Sequence, residues 1–262
     1  MRLRPLEPAS RTAQHIAAIS SRLKLDVLAY RPHVEPRALI ILGNGTPDDY
    51  IMALVAWACD GRETALLVKP PTTGIRSAVE KLRDVYLPGA RSLQYIVLVI
   101  DRDQRSLTQI KEEARRALRD YAFRILSEQE HVGGWLKEFG CEWRPEREVR
   151  ILVLVNGLGL DDLYVRDTAE VHLLEAAKEV LDRNAVLACL EKARFESDEK
   201  RRVEPKKAWS LLSRSQRWEV LRSIKDRLKQ LRRLFRQHFV ALKMCYEGAA
   251  ENSLNRPQLA GR

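Results

Sequence analysis

Long apolar runs are missing from this 262-residue chain; none approaching eighteen residues is free of charge, which argues against a transmembrane helix. Cysteine is scarce, and Cys59, Cys141, Cys189 and Cys245 lie far apart with no pair spaced as zinc ligands, so they are expected to be small buried side chains. The five histidines, His15, His33, His131, His172 and His238, are scattered, and no Ser/His/Asp or Cys/His nucleophile arrangement stands out. The stretch "GNGTPDD" lacks both the Lys-Ser/Thr of a P-loop and the three-glycine spacing of a dinucleotide fold. A secretory apolar core is also lacking. The first 23 residues carry Arg2, Arg4, Arg11 and Arg22 against Glu7, faintly like an organelle leader, but Ser10 is placed to cap an ordinary helix over residues 9–23. A cytoplasmic protein with no membrane partner is the expectation.

What the chain has in quantity is positive charge, unevenly placed. The net charge is +10, with arginine outnumbering lysine 33 to 13. Residues 200–262 hold 17 Lys and Arg against 5 Asp and Glu, leaving 29 against 31 in the rest. A nearly neutral body with a strongly basic tail suits a polyanion such as DNA or RNA.

From residue 38 the pattern is regular. "LIIL" is a continuous apolar run, as in a strand covered on both faces. Thr46 is a good N-cap, Pro47 fits the first helical position, and Asp48 and Asp49 complement the helix dipole. Further strands are expected at 64–68, 95–100 and 149–155, and helices over 75–87, over 106–126 with Ser106 as cap, and over 169–182. "HVGGW" reads as a turn in a mixed segment, 127–148. Strands alternating with helices predict an α/β fold with a parallel sheet flanked by helices. Ligands in such sheets gather beyond the carboxyl ends of the strands. Asn44, Lys69, Asp101, Asp103 and Asn156 all follow strands and should share that rim. The expected organisation is an N-terminal extension (1–37), an α/β domain (38–199), a basic helical extension (200–248) and a disordered tail (249–262).

Two aspartates at i and i+2 after a strand, in "YIVLVIDRDQ", suit a divalent cation. Mg²⁺ takes hard oxygen ligands and needs only one or two carboxylates beside its waters; alternatively both are solvated loop residues, with Asp103 capping the next helix. The layout of "IILGNGTPDD" followed by "VLVIDRDQ" resembles the Toprim domain of topoisomerases, primases and overcoming-lysogenization-defect nucleases, and most of all its small stand-alone relatives in archaea and bacteria. "DTAEVHLLEAA" (167–177) and "PKKAWSLL" (205–212) look similar to later segments of those relatives, so the resemblance spans residues 39–212. It implies a Toprim/Rossmann-like sheet, with Asp101 and Asp103 as Mg²⁺ ligands, Gly45 as the turn glycine and Asp48 as the acidic residue after it. It also implies phosphodiester cleavage or nicking of nucleic acid. Asn44 falls where the family has its catalytic glutamate, and the glycine after the aspartates is replaced by Gln104. Asn is neutral and moves no proton near neutral pH. Either Asp48, Asp49, Glu170 or Asp162 supplies the missing carboxylate, or the site binds without cutting.

Residues 215–248 read as one long basic helix. Leu221, Leu228, Phe235 and Leu242 repeat every seven residues, as do Ile224, Leu231, His238 and Cys245, forming a heptad-like seam. Beside it runs a basic row of Arg222, Lys229, Arg236 and Lys243, flanked by Lys225 and Arg232. The row would contact phosphates, with Trp209 and Trp218 available for stacking or for the core. The seam itself offers a docking face for a protein partner, the reading under which the chain is a structural subunit.

Overall fold

The computed structural model describes residues 1–29, 35–43, 47–59, 63–195 and 199–254, with side chains described as far as residue 247. In chain order the elements are β1 (Arg2–Pro5), α1 (Arg11–Leu23), β2 (Ala38–Leu42), α2 (Asp48–Ala58), β3 (Thr64–Val68), α3 (Ile75–Lys81), α4 (Leu87–Gly89), β4 (Tyr95–Asp101) and α5 (Leu107–Asp120). There follow β5 (Arg124–His131), β6 (Leu136–Arg144), β7 (Arg147–Asn156), α6 (Ala169–Val180), α7 (Arg183–Lys192), α8 (Pro205–Leu211), α9 (Arg214–Asp226), α10 (Leu228–Leu231) and α11 (Arg236–Leu254). A π-helical turn, Leu82–Tyr86, joins α3 to α4. Among the described residues no helix is long and apolar enough to cross a membrane.

The fold is α/β, with a seven-stranded sheet in the order β1-β3-β2-β4-β7-β6-β5. The first five strands of that order are parallel, and β6 and β5 close one side as antiparallel strands. Alternation along each central strand feeds two cores. Ile40, Leu42, Val97, Val99, Leu152 and Leu154 face one; Leu39, Ile41, Ile96, Leu98, Ile151 and Val153 face the other. Burial on both faces explains why β2, β4 and β7 read as unbroken apolar runs. α3 and α5 cover the second face, while α1, α2, α6 and the C-terminal helices cover the first.

Several expectations are corrected. Residues 1–37 contribute β1, which pairs with β3, and α1, capped by Ser10 as expected. The helix expected over 106–126 carries its Ser106 capping box but stops at Asp120. Ala122 turns left-handed (φ 62°) and the Phe123 N–H closes back on the Leu118 carbonyl (2.9 Å). Phe123 is then buried and the next residues become the edge strand β5.

The single helix expected over 215–248 is broken. α9 stops at Asp226 with Arg227 as its C-cap (φ −112°, ψ 20°), and a 3-10 turn, Arg232–Phe235, separates α10 from α11. The heptad seam survives these breaks, but it packs inward. Leu221, Ile224, Leu228, Leu231, Phe235, His238, Leu242 and Cys245 are all buried within the protein's own core. The docking face it was expected to offer a protein partner is thus covered by this chain. The breaks let the chain bend over α2, α6 and the end of β7 rather than run on as a straight rod. At the far end, residues 249–254, expected as disordered tail, continue α11.

Candidate functional site

In this strand order β3 lies to one side of β2 and β4 to the other, so the chain changes direction between β2 and β4, where α/β sheets place their ligands. β4 ends in Asp101, whose register partner on β7 is Asn156, and α2 begins with Asp48. All three are almost fully buried. One amide ties them together: Asn156 Nδ2 donates to Asp48 Oδ1 (2.9 Å) and to Asp101 Oδ1 (3.1 Å). Asn156 Oδ1 can only accept, so His238 Nε2, at 3.0 Å, is the donor. A buried amide between two carboxylates supplies the protons that neither acid carries when ionised.

The histidines below this chain are held neutral. The Gly157 N–H donates to His172 Nε2 (3.0 Å), which leaves Nδ1–H to donate to the Leu234 carbonyl. Burial pushes the His172 pKa down to about 4, and burial beside His172 pushes His238 well below its ordinary value. Their rings meet edge to face at 5.0 Å. Gln237 Nε2 fixes the same turn by donating to the Gly157 carbonyl (3.0 Å). Glycine is required at 157. Its φ is +130°, and a Cβ would stand 2.4 Å from the Asp167 Cβ.

The other side of Asp101 is electrostatic. Its Oδ1 also accepts the Ala169 N–H (3.2 Å) at the start of α6, where the helix dipole favours an anion. Its Oδ2 faces Lys206 Nζ at 3.4 Å, from the first turn of α8. Burial pushes the Asp101 pKa up, against the pull of Lys206 and Asn156. Glu170, in the first turn of α6, is raised by burial and then by Asp101, and its Oε2 has no hydrogen-bond partner among the described residues. Burial would lower the Lys206 pKa, but the combined pull of Asp101, Glu170 and Asp103 outweighs it and the ammonium is strengthened.

Asp103 is built differently from Asp101. Its backbone is left-handed (φ 53°) and forms a two-way bridge with Asp167, N–H to carbonyl at 2.8 and 3.0 Å. Its side chain is 44% exposed, with Arg105 at 3.8 Å. Arg102, between the two aspartates, pairs with Asp161 and Asp167 and lies over Trp135, clamping the loop after β7.

Of the expected site residues, the structure therefore unites Asp48, Asp101 and Asn156 and leaves Asp103 at the rim. Asn44, Gly45 and Thr46 lie outside the described residues. Among the carboxylates nominated to replace a glutamate, Asp48 and Glu170 stand with Asp101. Asp49 is turned to His15 (2.7 Å), and Asp162 is an exposed partner of Lys200. Lys206 and His238 went unrecognised as site residues. Lys206 sits inside the "PKKAWSLL" segment, which was its only signal, and His238 was hidden in the heptad pattern.

An Mg²⁺ ion shared by Asp101 and Asp103 does not fit this arrangement. One Asp101 oxygen accepts two N–H groups, the other faces an ammonium, and Asp103 looks outward. Among the described residues no group of three or more His, Cys, Asp or Glu side chains is placed to hold a metal ion.

The expected phosphate-binding row is on the surface. Arg222, Lys229, Arg232, Arg236 and Lys243 are exposed and Lys225 is half-buried. Lys243 pairs with Glu247 (3.3 Å). The break in the helix divides the row between α9, α10, the 3-10 turn and α11. Trp209 is core, and half-buried Trp218 lies under Arg22 (4.4 Å).

Compared with protein-family models, with curated proteins and with solved structures, the chain matches none.

Proposed function

We propose that this is a nucleic-acid-binding protein with a Toprim-like sheet whose carboxyl-end acids are neutralised from within, so that it holds a strand without cutting it. One observation carries the reading: the Lys206 ammonium stands against Asp101 and draws on Glu170 and Asp103, where the Toprim resemblance calls for a metal cation. Asn156 replaces with a neutral hydrogen-bond donor what a second charge would otherwise do between Asp48 and Asp101. The basic residues 200–262 supply the attraction for phosphates, which is independent of sequence and sensitive to salt.

A second reading, cation-dependent phosphodiester cleavage, is favoured by Glu170. A buried carboxyl oxygen with no hydrogen-bond partner among the described residues, beside Asp101 and with a raised pKa, is what a general acid or base looks like. The two readings part in one experiment. Labelled single- and double-stranded DNA and RNA are incubated with the protein in Mg²⁺, Mn²⁺ or EDTA, beside Asp101→Asn and Glu170→Gln. Salt-sensitive binding with intact substrate in every metal is the expected result. Metal-dependent cleavage that both variants abolish would overturn the proposal in favour of the second reading.

A further inference from the structure

Beside the bend in the C-terminal helices lies a groove of about 770 Å³ between the end of α2 and the segment running from α9 to α11. Trp57 and Phe239 give it aromatic walls, and Lys225, Arg227, Lys229 and Arg232 surround it, with Asp226 the one acidic lining residue among those described. Phe239 is buried, whereas Trp57 is half-buried. Lys225 Nζ is 5.7 Å from the Trp57 ring centroid, and the Arg232 guanidinium is 4.9 Å from that of Phe239.

Some surface cations are matched by acids and others, such as Arg222 and Arg236, have no carboxylate partner among the described residues; what sets the groove apart is that four unmatched cations line one concavity. Arg115, Arg124, Arg194 and Arg233 each pair with a carboxylate. Among the described residues none of the four groove cations does. Four unpaired cations around one concavity repel each other unless an anion joins them. Aromatic faces in the same concavity do nothing for an inorganic anion or for the outside of a duplex, whose bases are stacked away. They match a polyanion with open base faces.

We propose that this groove binds single-stranded nucleic acid, DNA or RNA, with one base against Trp57 and the flanking phosphates on Lys225, Arg227, Lys229 and Arg232. The inference rests on the nucleic-acid reading above and places the strand on the helical layer rather than at the acidic sheet end. Lys225 stands over the Trp57 ring on a flexible four-carbon stem. It yields the ring to a base while its ammonium follows the adjoining phosphate. The bend at Arg227 is what makes the groove, since it sets Arg227 and Lys229 across from Trp57.

The test uses the full chain with fluorescein-labelled (dT)20 and (U)20 and a labelled 20-base-pair duplex, read by anisotropy across a salt series. Variants are Trp57→Ala, Trp57→Phe and Arg227→Gln/Lys229→Gln, with Arg116→Gln/Arg119→Gln on α5 as a control on the opposite face of the sheet. Thermal unfolding is followed on each. Trp57→Ala is expected to weaken single-strand binding roughly 5- to 150-fold, with Trp57→Phe restoring most of it and duplex binding little changed. The Arg227/Lys229 pair should reduce the slope of log K against log salt by about 1.4, and the control pair should change nothing. The DNA and RNA arms show which strand is preferred. Single-strand binding that survives all groove variants while they stay folded would overturn the groove and leave nucleic-acid binding standing. No binding to any probe by the wild-type chain would overturn both.

Discussion

The carboxyl end of the sheet and the bent helical layer are both crowded with charge, but they treat it in opposite ways. At the sheet end, Asp48 and Asp101 share one amide, Asp101 faces its own lysine, and His172 and His238 are kept neutral by burial. On the helices Lys225, Arg227, Lys229 and Arg232 stand around an open groove with no carboxylate partner among the described residues. A buried charge must find its counterpart in the fold because desolvation is costly, whereas an exposed one need not. On the proposed reading the acids are chiefly architectural, and the groove cations, unpaired among the described residues, are what the chain offers to another molecule. Substitutions that break the turn after β7 or the pairing of Lys206 with Asp101 should lower stability; those in the groove should lower binding alone.

The largest effect is expected from Gly157→Ala. A left-handed backbone forced on alanine and a Cβ pressed against Asp167 should together cost about 4 kcal/mol, read as a shift of the urea midpoint. A loss under 1 kcal/mol would mean the loop after β7 is looser than its contacts indicate.

Acidification comes next. The folded pKa of His172 is lowered to about 4 from an ordinary value near 6.5, so the unfolded chain takes up the proton first. Stability from this group is complete above about pH 6.5 and is lost as pH falls toward about 4. For His172 alone the loss at pH 5 is about 2 kcal/mol. Asp101 and Glu170, with raised pKa values, act the other way: their ionisation weakens the fold as pH rises above the ordinary carboxylate range. Denaturation at pH 7 and pH 5 on the wild type and on Asp101→Asn/Glu170→Gln separates the two contributions. The double variant should show the steeper loss on acidification, because the opposing carboxylates are gone.

Lys206→Met should cost less, about 1–2 kcal/mol at neutral pH, since this side chain is 44% exposed and water screens its attraction to Asp101. The loss should fade at low pH as Asp101 and Glu170 take up protons. A cost that stays constant with pH would mean that Lys206 contributes packing rather than charge. The smallest stability effect belongs to the helical layer: Arg227→Gln and Lys229→Gln should each change the unfolding free energy, read from urea denaturation, by less than about 0.5 kcal/mol.

The sequence made this contrast only partly visible, for reasons that differ by element. β2, β3, β4 and β7 were legible because burial on both faces leaves an unmistakable apolar run. β1 was too short to carry a pattern, and β5, an exposed edge strand, continues the apparent helix of α5 without a proline or glycine between them. Asp101 and Asn156 were legible as strand-end residues, but their sharing of one amide depends on the β4–β7 register. Lys206 reaches Asp101 across 105 positions of sequence, which no local pattern encodes. The heptad seam misled because seven-residue spacing persists through the breaks at Arg227 and at residues 232–235, and spacing does not say whether a seam faces a partner or the protein's own core.

The most direct measurement is the affinity for one labelled single-stranded oligonucleotide in Mg²⁺ and in EDTA, on wild type, Asp101→Asn/Glu170→Gln and Arg227→Gln/Lys229→Gln. If the account is right, the acid variant binds like wild type in both conditions and only the groove variant loses affinity and salt dependence. Metal-dependent binding that vanishes with the acids and ignores the groove would contradict it.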